Sequence, residues 1–145
     1  MSGWEIEPGV VRLPDGRKVR GTGTRRPRGD LPHPDFAVYL LGRPPRATVW
    51  PARWVRWGDF RLPSDSDDAI NALYEAYNRA AGERVEIACG GGVGRTGTAI
   101  AILARMSGVP ATEALAWTRA NYHPRAAETR RQRAWIRAAE VTPLS

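Results

Sequence analysis

Short apolar runs alternate along the chain with longer stretches of helical period, and turn residues separate them. Residues 10–20 carry two alternating runs around Pro14-Asp15-Gly16, which is turn chemistry, and predict a β-hairpin. Residues 21–35 scatter Gly21, Gly23, Pro27, Gly29, Pro32 and Pro34 among arginines and read as an irregular basic loop. Residues 36–41 form an apolar strand, and 55–57 belong to another. Ser64, Asp65 and Ser66 offer capping oxygens to a helix over 66–81 with Ile70, Leu73, Tyr74 and Tyr77 on one face; Gly82 suits its end. A strand over 84–88 follows, then a helix over 96–107 stopped by Gly108, and two more helices over 111–121 and 126–139. This alternation predicts an α/β fold, with a central, mostly parallel sheet flanked by helices and an N-terminal β-hairpin.

Between the strand at 84–88 and the helix at 96–107 lies Cys89-Gly90-Gly91-Gly92-Val93-Gly94-Arg95-Thr96, which holds the only cysteine. Four glycines in five positions let the backbone curl with positive φ and approach a ligand closely. Strand before and helix after point free N–H groups and a helix dipole into the turn. The amides of Gly90, Gly91, Gly92, Val93, Gly94 and Arg95 therefore form a cup for a phosphate-like dianion, with Cys89 at its floor. A thiol is a poor nucleophile until ionised, and a helix N-terminus beside a cation favours the thiolate. Arg95 is suited to bind two phosphoryl oxygens as a fork. The Thr96 hydroxyl is placed to hydrogen-bond the sulfur or to cap the helix.

Two other phosphate motifs fit less well. Gly92-Val93-Gly94-Arg95-Thr96-Gly97 is formally the dinucleotide fingerprint, but that fold needs an acidic residue ending a second strand about 20 residues on. The stretch near Trp117 reads as helix instead. A nucleotide-binding Walker loop would need glycine at 89 and lysine at 95.

Composition narrows the setting. The chain has 145 residues, 42% hydrophobic, consistent with one domain over 1–145. One cysteine rules out an internal disulfide framework and suits a reducing cytoplasm. With only His33 and His123, no zinc site is expected, and no stretch is apolar enough to span a bilayer. Residues 1–8 are acidic and mixed, unlike a secretory signal. The net charge is +7, and of 22 basic residues only Lys18 is not arginine. This excess fits an anionic partner equally as well as an arginine-biased composition with solvated side chains. A nucleic-acid-binding domain is not favoured, because the arginine-rich loop has no interleaved aromatic platform.

The segment 89–96 resembles the C-x5-R-[ST] loop of the protein-tyrosine and dual-specificity phosphatases. Trp57-Gly58-Asp59-Phe60-Arg61-Leu62-Pro63 is similar to their W-P-D loop, with glycine in place of proline. The segment 122–132, which holds Glu128, Thr129 and Gln132, is similar to the one carrying their water-positioning glutamine. The resemblance spans roughly residues 50–136, three motifs in order. It implies a protein-tyrosine-phosphatase-like fold and a cysteine-dependent phosphomonoester hydrolase working through a phosphocysteine, without cofactor or metal, on a phosphorylated substrate such as a phosphoprotein. It implies Cys89 as nucleophile, Arg95 as clamp, Asp59 as acid and then base, Thr96 as aid to the leaving sulfur, and Gln132 as orienter of water. Read from the residues alone, Asp59 sits in a Gly-bounded loop between Trp57 and Phe60 that is able to swing, with Asp65, Asp67 and Asp68 as competitors. Gln132 reads equally well as a solvated helix residue. The family usually has histidine before the cysteine, where this chain has Ala88. The alternative is a phosphate-binding module of weak or no turnover.

Overall fold

The computed structural model describes residues 3–142. Its elements run β1 (Val10–Arg12), β2 (Lys18–Gly23), β3 (Phe36–Leu41), β4 (Ala52–Arg56), α1 (Ser66–Arg79), β5 (Val85–Cys89), α2 (Gly94–Met106), α3 (Ala114–Asn121) and α4 (Arg130–Ala138). The sheet order is β1-β2-β5-β3-β4. β1 runs antiparallel to β2 as the expected hairpin, and every other neighbouring pair is parallel.

Strand alternation sorts the sheet into two unlike faces. Phe36, Val38 and Leu40 of β3, with Val85, Ile87 and Cys89 of β5, join α1 and α2 in the main core. α3 and α4 pack behind α2 through Ala114, Ile136 and Ala101. The opposite face holds Ala37, Tyr39 and Ala88, packed by Leu41 at the end of β3 and by Trp50 from the β3–β4 connection. β5 is buried at all five positions, as a central parallel strand must be. Because Cys89 shares a face with Val85 and Ile87, its side chain looks toward α2. Ala88 looks away, toward Tyr39.

Several expected boundaries move. β2 continues to Gly23, into the stretch read as loop, because Thr22 and Gly23 pair with Ala88 and Cys89. Gly21 tolerates this place because the Tyr122 phenol occupies the position a Cβ would need. β4 begins at Ala52, earlier than its apolar residues suggest. Asp65 caps α1 by accepting from the Asp68 N–H, but the helix closes at Ala80, and Gly82 is not among the positive-φ glycines. α2 opens at Gly94 rather than 96, and Gly108 ends it at φ 109°. α3 starts at Ala114 rather than 111. α4 starts at Arg130 rather than 126, because Ala127 takes φ 59° and Thr129 caps the helix.

Candidate active site

The turn after β5 is oriented from outside by its carbonyls. The Thr24 N–H donates to Cys89 O at 2.8 Å and the Arg25 N–H to Gly90 O at 3.0 Å. The Tyr122 hydroxyl donates to Gly92 O. A trans peptide holds its C=O and N–H on opposite sides, so each outward carbonyl turns the next N–H inward. The amides of Gly90, Gly91 and Val93 are thereby aimed into the loop. The first intrahelical bond of α2 is made by the Gly97 N–H to Val93 O, which leaves the Gly94, Arg95 and Thr96 N–H groups unused by the helix. Gly92 has φ 75°, and a Cβ there would lie 2.8 Å from the backbone of Thr22 and Gly23. Only glycine fits that position.

At the floor, Cys89 is 2% exposed. Its Sγ accepts the Gly92 N–H at 3.2 Å. Arg95 is also buried, at 4%. Its Nη1 donates to Leu40 O at 3.1 Å and Trp57 O at 3.0 Å, which fixes the guanidinium plane. Nε is buried without a partner, and Nη2 lies 3.5 Å from Asp59 Oδ1. One nitrogen thus anchors the group, while the Nε–Nη2 edge keeps the geometry of a two-pronged donor. A buried N–H left unsatisfied costs about 1–3 kcal/mol, so this edge suits an anionic guest.

Asp59 projects from a tightly tied loop. Trp57 bridges to Pro63. The Trp57 indole N–H donates to Arg61 O at 2.6 Å, and the Gln132 side-chain amide donates to the same oxygen at 3.0 Å. These bonds hold both feet, so any swing is confined to residues 58–60. Phe60 at the tip is 58% exposed and adopts φ 60°, a strained region for a bulky residue. The Asp59 carboxylate bridges two cations: Oδ2 is 3.0 Å from Arg25 Nη2, and Oδ1 faces Arg95. The competing aspartates are elsewhere. Asp65 caps α1, and Asp68 pairs with Arg53 at 2.7 Å, a hydrogen bond that holds its carboxyl below the usual range.

A thiol, a fixed guanidinium and a carboxylate around inward amides come from two of the three sequence motifs, and Gln132 of the third reaches the Asp59 loop at Arg61 O. A family model described as "PTP-SAK: Swiss Army Knife protein, DSP-PTPase phosphatase domain" matches residues 62–143, more than half of the chain. The chain belongs to this family. The PTP-SAK match begins three residues after Asp59, so that residue's assignment rests on its position beside Arg95. Among solved structures, the chain is similar to one described as "Crystal structure of Tk-PTP in the active form", with TM-score 0.71 and 23% identity, covering 93% of this chain and 100% of that one. At that identity the likeness is one of fold, and it extends the protein-tyrosine-phosphatase-like architecture over nearly the whole chain. No curated protein matches the chain.

Within this chain, Cys89, Arg95, Asp59 and the glycine-loop amides come together, and two expected contacts differ. The Thr96 hydroxyl does not hydrogen-bond the sulfur. It is buried without a partner, the sulfur's donor being the Gly92 N–H. Nor does Thr96 cap α2, whose N-cap is Val93. Gln132 is fully buried rather than solvated. Its Oε1 accepts the Thr129 N–H at 3.1 Å in a capping box, while its amide holds Arg61 O. Of two further residues at the site, Tyr122 escaped the sequence reading, and Arg25 was placed in a basic loop more in keeping with solvent than with the pocket. Arg25 packs over Gly90 and pairs with Asp59; Tyr122 holds Gly92 O. Burial, with the Cys89 charge adding to it, pushes the Tyr122 phenol well above its ordinary value and keeps it a neutral donor. For Arg25, the available signal was glycine at 90 and 91, which makes room for a neighbouring side chain.

Proposed function

We propose that this PTP-SAK domain is a cysteine-dependent phosphomonoester hydrolase of the protein-tyrosine or dual-specificity type, acting on phosphoproteins. The observation that carries the reading is the Arg95 guanidinium, anchored through Nη1 with its Nε free, beside the Cys89 sulfur's loop and the Asp59 carboxylate. The phosphoryl oxygens take hydrogen bonds from the inward amides and from the Arg95 fork. The Cys89 thiolate attacks phosphorus in line; the S–P bond forms as the P–O ester bond breaks, and Asp59 gives its proton to the departing oxygen. Water then attacks the phosphocysteine, Asp59 takes its proton, and the S–P bond breaks to return thiolate and inorganic phosphate. Charge on the transferring group is met by preorganised donors. Gln132 is assigned to hold the Asp59 loop through Arg61, because both ends of its side chain are already engaged. Such a thiolate enzyme suits the reducing cytoplasm. Among the described residues, no helix is long and apolar enough to cross a membrane.

The test is turnover of an aryl phosphate with and without chelator. Cys89→Ser is expected to abolish it, and Asp59→Ala to leave slow turnover of good leaving groups only. Full rate in the serine variant, or arrest by chelator, would overturn the mechanism. Phosphate or phosphopeptide binding with no release by the intact protein would make it a binding module instead.

A further inference from the structure

Beside the glycine loop, on the face of the sheet away from the helices, runs an open groove of about 1050 Å³ between the β2–β3 and β3–β4 connections. A single phosphorylated side chain needs much less space; a volume of this order is at the upper end for small-ligand sites. The groove reaches Gly91, Gly92 and Val93 at one end, and its lining includes Arg25, which also rims the cup by packing over Gly90. Cup and groove are therefore continuous through one side chain, itself 65% exposed.

The groove's charge is strongly one-sided. Its carboxylate Glu86 is buried on β5 and consumed by two cations: Arg20 Nη2 at 2.5 Å and Arg28 Nη2 at 2.7 Å. Those bonds tie the basic connection down against the sheet. Two further lining arginines, Arg26 and Arg46, are exposed, and their side chains make no hydrogen bond or ion pair to any described residue. Aromatic faces are few: apart from the half-buried Tyr122 and His123 at the cup end, the lining rings are occupied. Arg28 covers the Trp50 ring at 4.6 Å, His33 lies against it at 4.8 Å, and Tyr39 is buried with its hydroxyl accepting the Trp50 N–H. A groove for single-stranded nucleic acid would offer such faces for bases to stack on.

We infer that this groove binds the acidic segment flanking the phosphorylated residue of a peptide substrate, with Arg26 and Arg46 as its specificity-determining cations. The inference rests on the phosphatase reading for its substrate but not for its binding energy. Carboxylates are matched here by exposed guanidiniums, a term that is modest per pair and falls with salt.

The experiment compares phosphotyrosine peptides of equal length with glutamate-rich, neutral and lysine-rich flanks, a 5′-phosphorylated oligonucleotide, and an aryl phosphate that reports the cup alone. For the intact protein, kcat/KM for the acidic peptide is expected to exceed the neutral one by about tenfold at low salt, from a few exposed pairs. Arg26→Ser with Arg46→Ser should collapse that ratio toward one, and 0.5 M salt, which shortens the Debye length to about 4 Å, should do the same. Equal rates for all flanks, or an unchanged ratio in the double variant, overturn the inference, as does preference for the oligonucleotide. If the aryl phosphate is not hydrolysed at all, the phosphatase reading fails. The groove is then judged by peptide binding alone, where the same acidic-over-neutral ratio sustains it and its absence ends it.

Discussion

Replacing Tyr122 with phenylalanine removes one oxygen and almost no volume, and that oxygen's hydroxyl donates to Gly92 O. The buried Gly92 carbonyl then loses its donor, which costs about 1–3 kcal/mol for an unsatisfied group. At this chain length, each kcal/mol lowers Tm by about 3–4 °C. The functional effect is separable from this loss. The peptide joining Gly92 to Val93 no longer has its carbonyl held outward, so the Val93 N–H loses its fixed aim into the cup. Deleting one oxyanion donor outright costs about 10²–10³ in kcat. Loosening a donor that stays in place is expected to cost about tenfold, with phosphate inhibition weakened in parallel. The assays are steady-state kinetics on an aryl phosphate, inhibition by inorganic phosphate, and thermal unfolding. A variant that melts lower yet keeps full kcat and phosphate affinity would refute the argument that outside donors to carbonyls aim the amides.

Gly21→Ala should be more damaging to the fold, because the new Cβ would occupy the place of the Tyr122 phenol; unfolding by denaturant is expected to register a loss of about 1–3 kcal/mol from overpacking. Gln132→Ala breaks the capping box and leaves Arg61 O to the Trp57 indole alone, for a stability cost of about 0.5–2 kcal/mol. Kinetically it should slow esters with poor leaving groups more than aryl esters, and a uniform effect would argue against a link to the Asp59 loop. Stability should also fall in alkali. Burial raises the phenols of Tyr39, Tyr77 and Tyr122 above their ordinary value of 10.0. The unfolded chain therefore releases those protons first. The associated stability is fully present below pH 10 and is lost as the pH climbs from there toward the raised folded values. Denaturant midpoints between pH 8 and roughly pH 11 check this, and the Tyr122→Phe variant should show a shallower decline.

The elements with strong local signals were legible. Pro14-Asp15-Gly16 marks the hairpin, Asp65 marks the α1 cap, and the β-branched run into Cys89 marks the central strand. The glycine loop and Arg95 were legible because their spacing is covalent, fixed within eight residues. What stayed hidden depends on distant partners. Gly21 and Gly23 look like loop residues until β5 lies beside them and the 122 side chain fills the space. Gln132 carries the polar signature of a solvated helix position, yet two backbone groups, one of them 71 residues away, justify its burial. The Thr96 hydroxyl shows the opposite error: adjacency in sequence to Arg95 suggested a bond to sulfur that the start of α2 at Gly94 does not produce.

The departure at Ala88 follows from the same geometry. Residue 88 points away from the cup, toward Ala37 and Tyr39, so a side chain there acts on the sulfur only through the backbone of the loop. In this chain that face is filled by Tyr39, whose hydroxyl is engaged by Trp50, and a larger residue at 88 would compete with it. Support for the loop comes from the other side instead: Thr24 and Arg25 on the extension of β2, and Tyr122 just beyond α3. The extension past Gly21 thus supplies two of the three donors that orient the amides. It also delivers Arg25 to the rim, where its guanidinium meets Asp59. A substitution that unpairs Thr22 and Gly23 from β5 should therefore disturb amide orientation, Asp59 placement and the arginine groove together, whereas a histidine at 88 supplies none of the three.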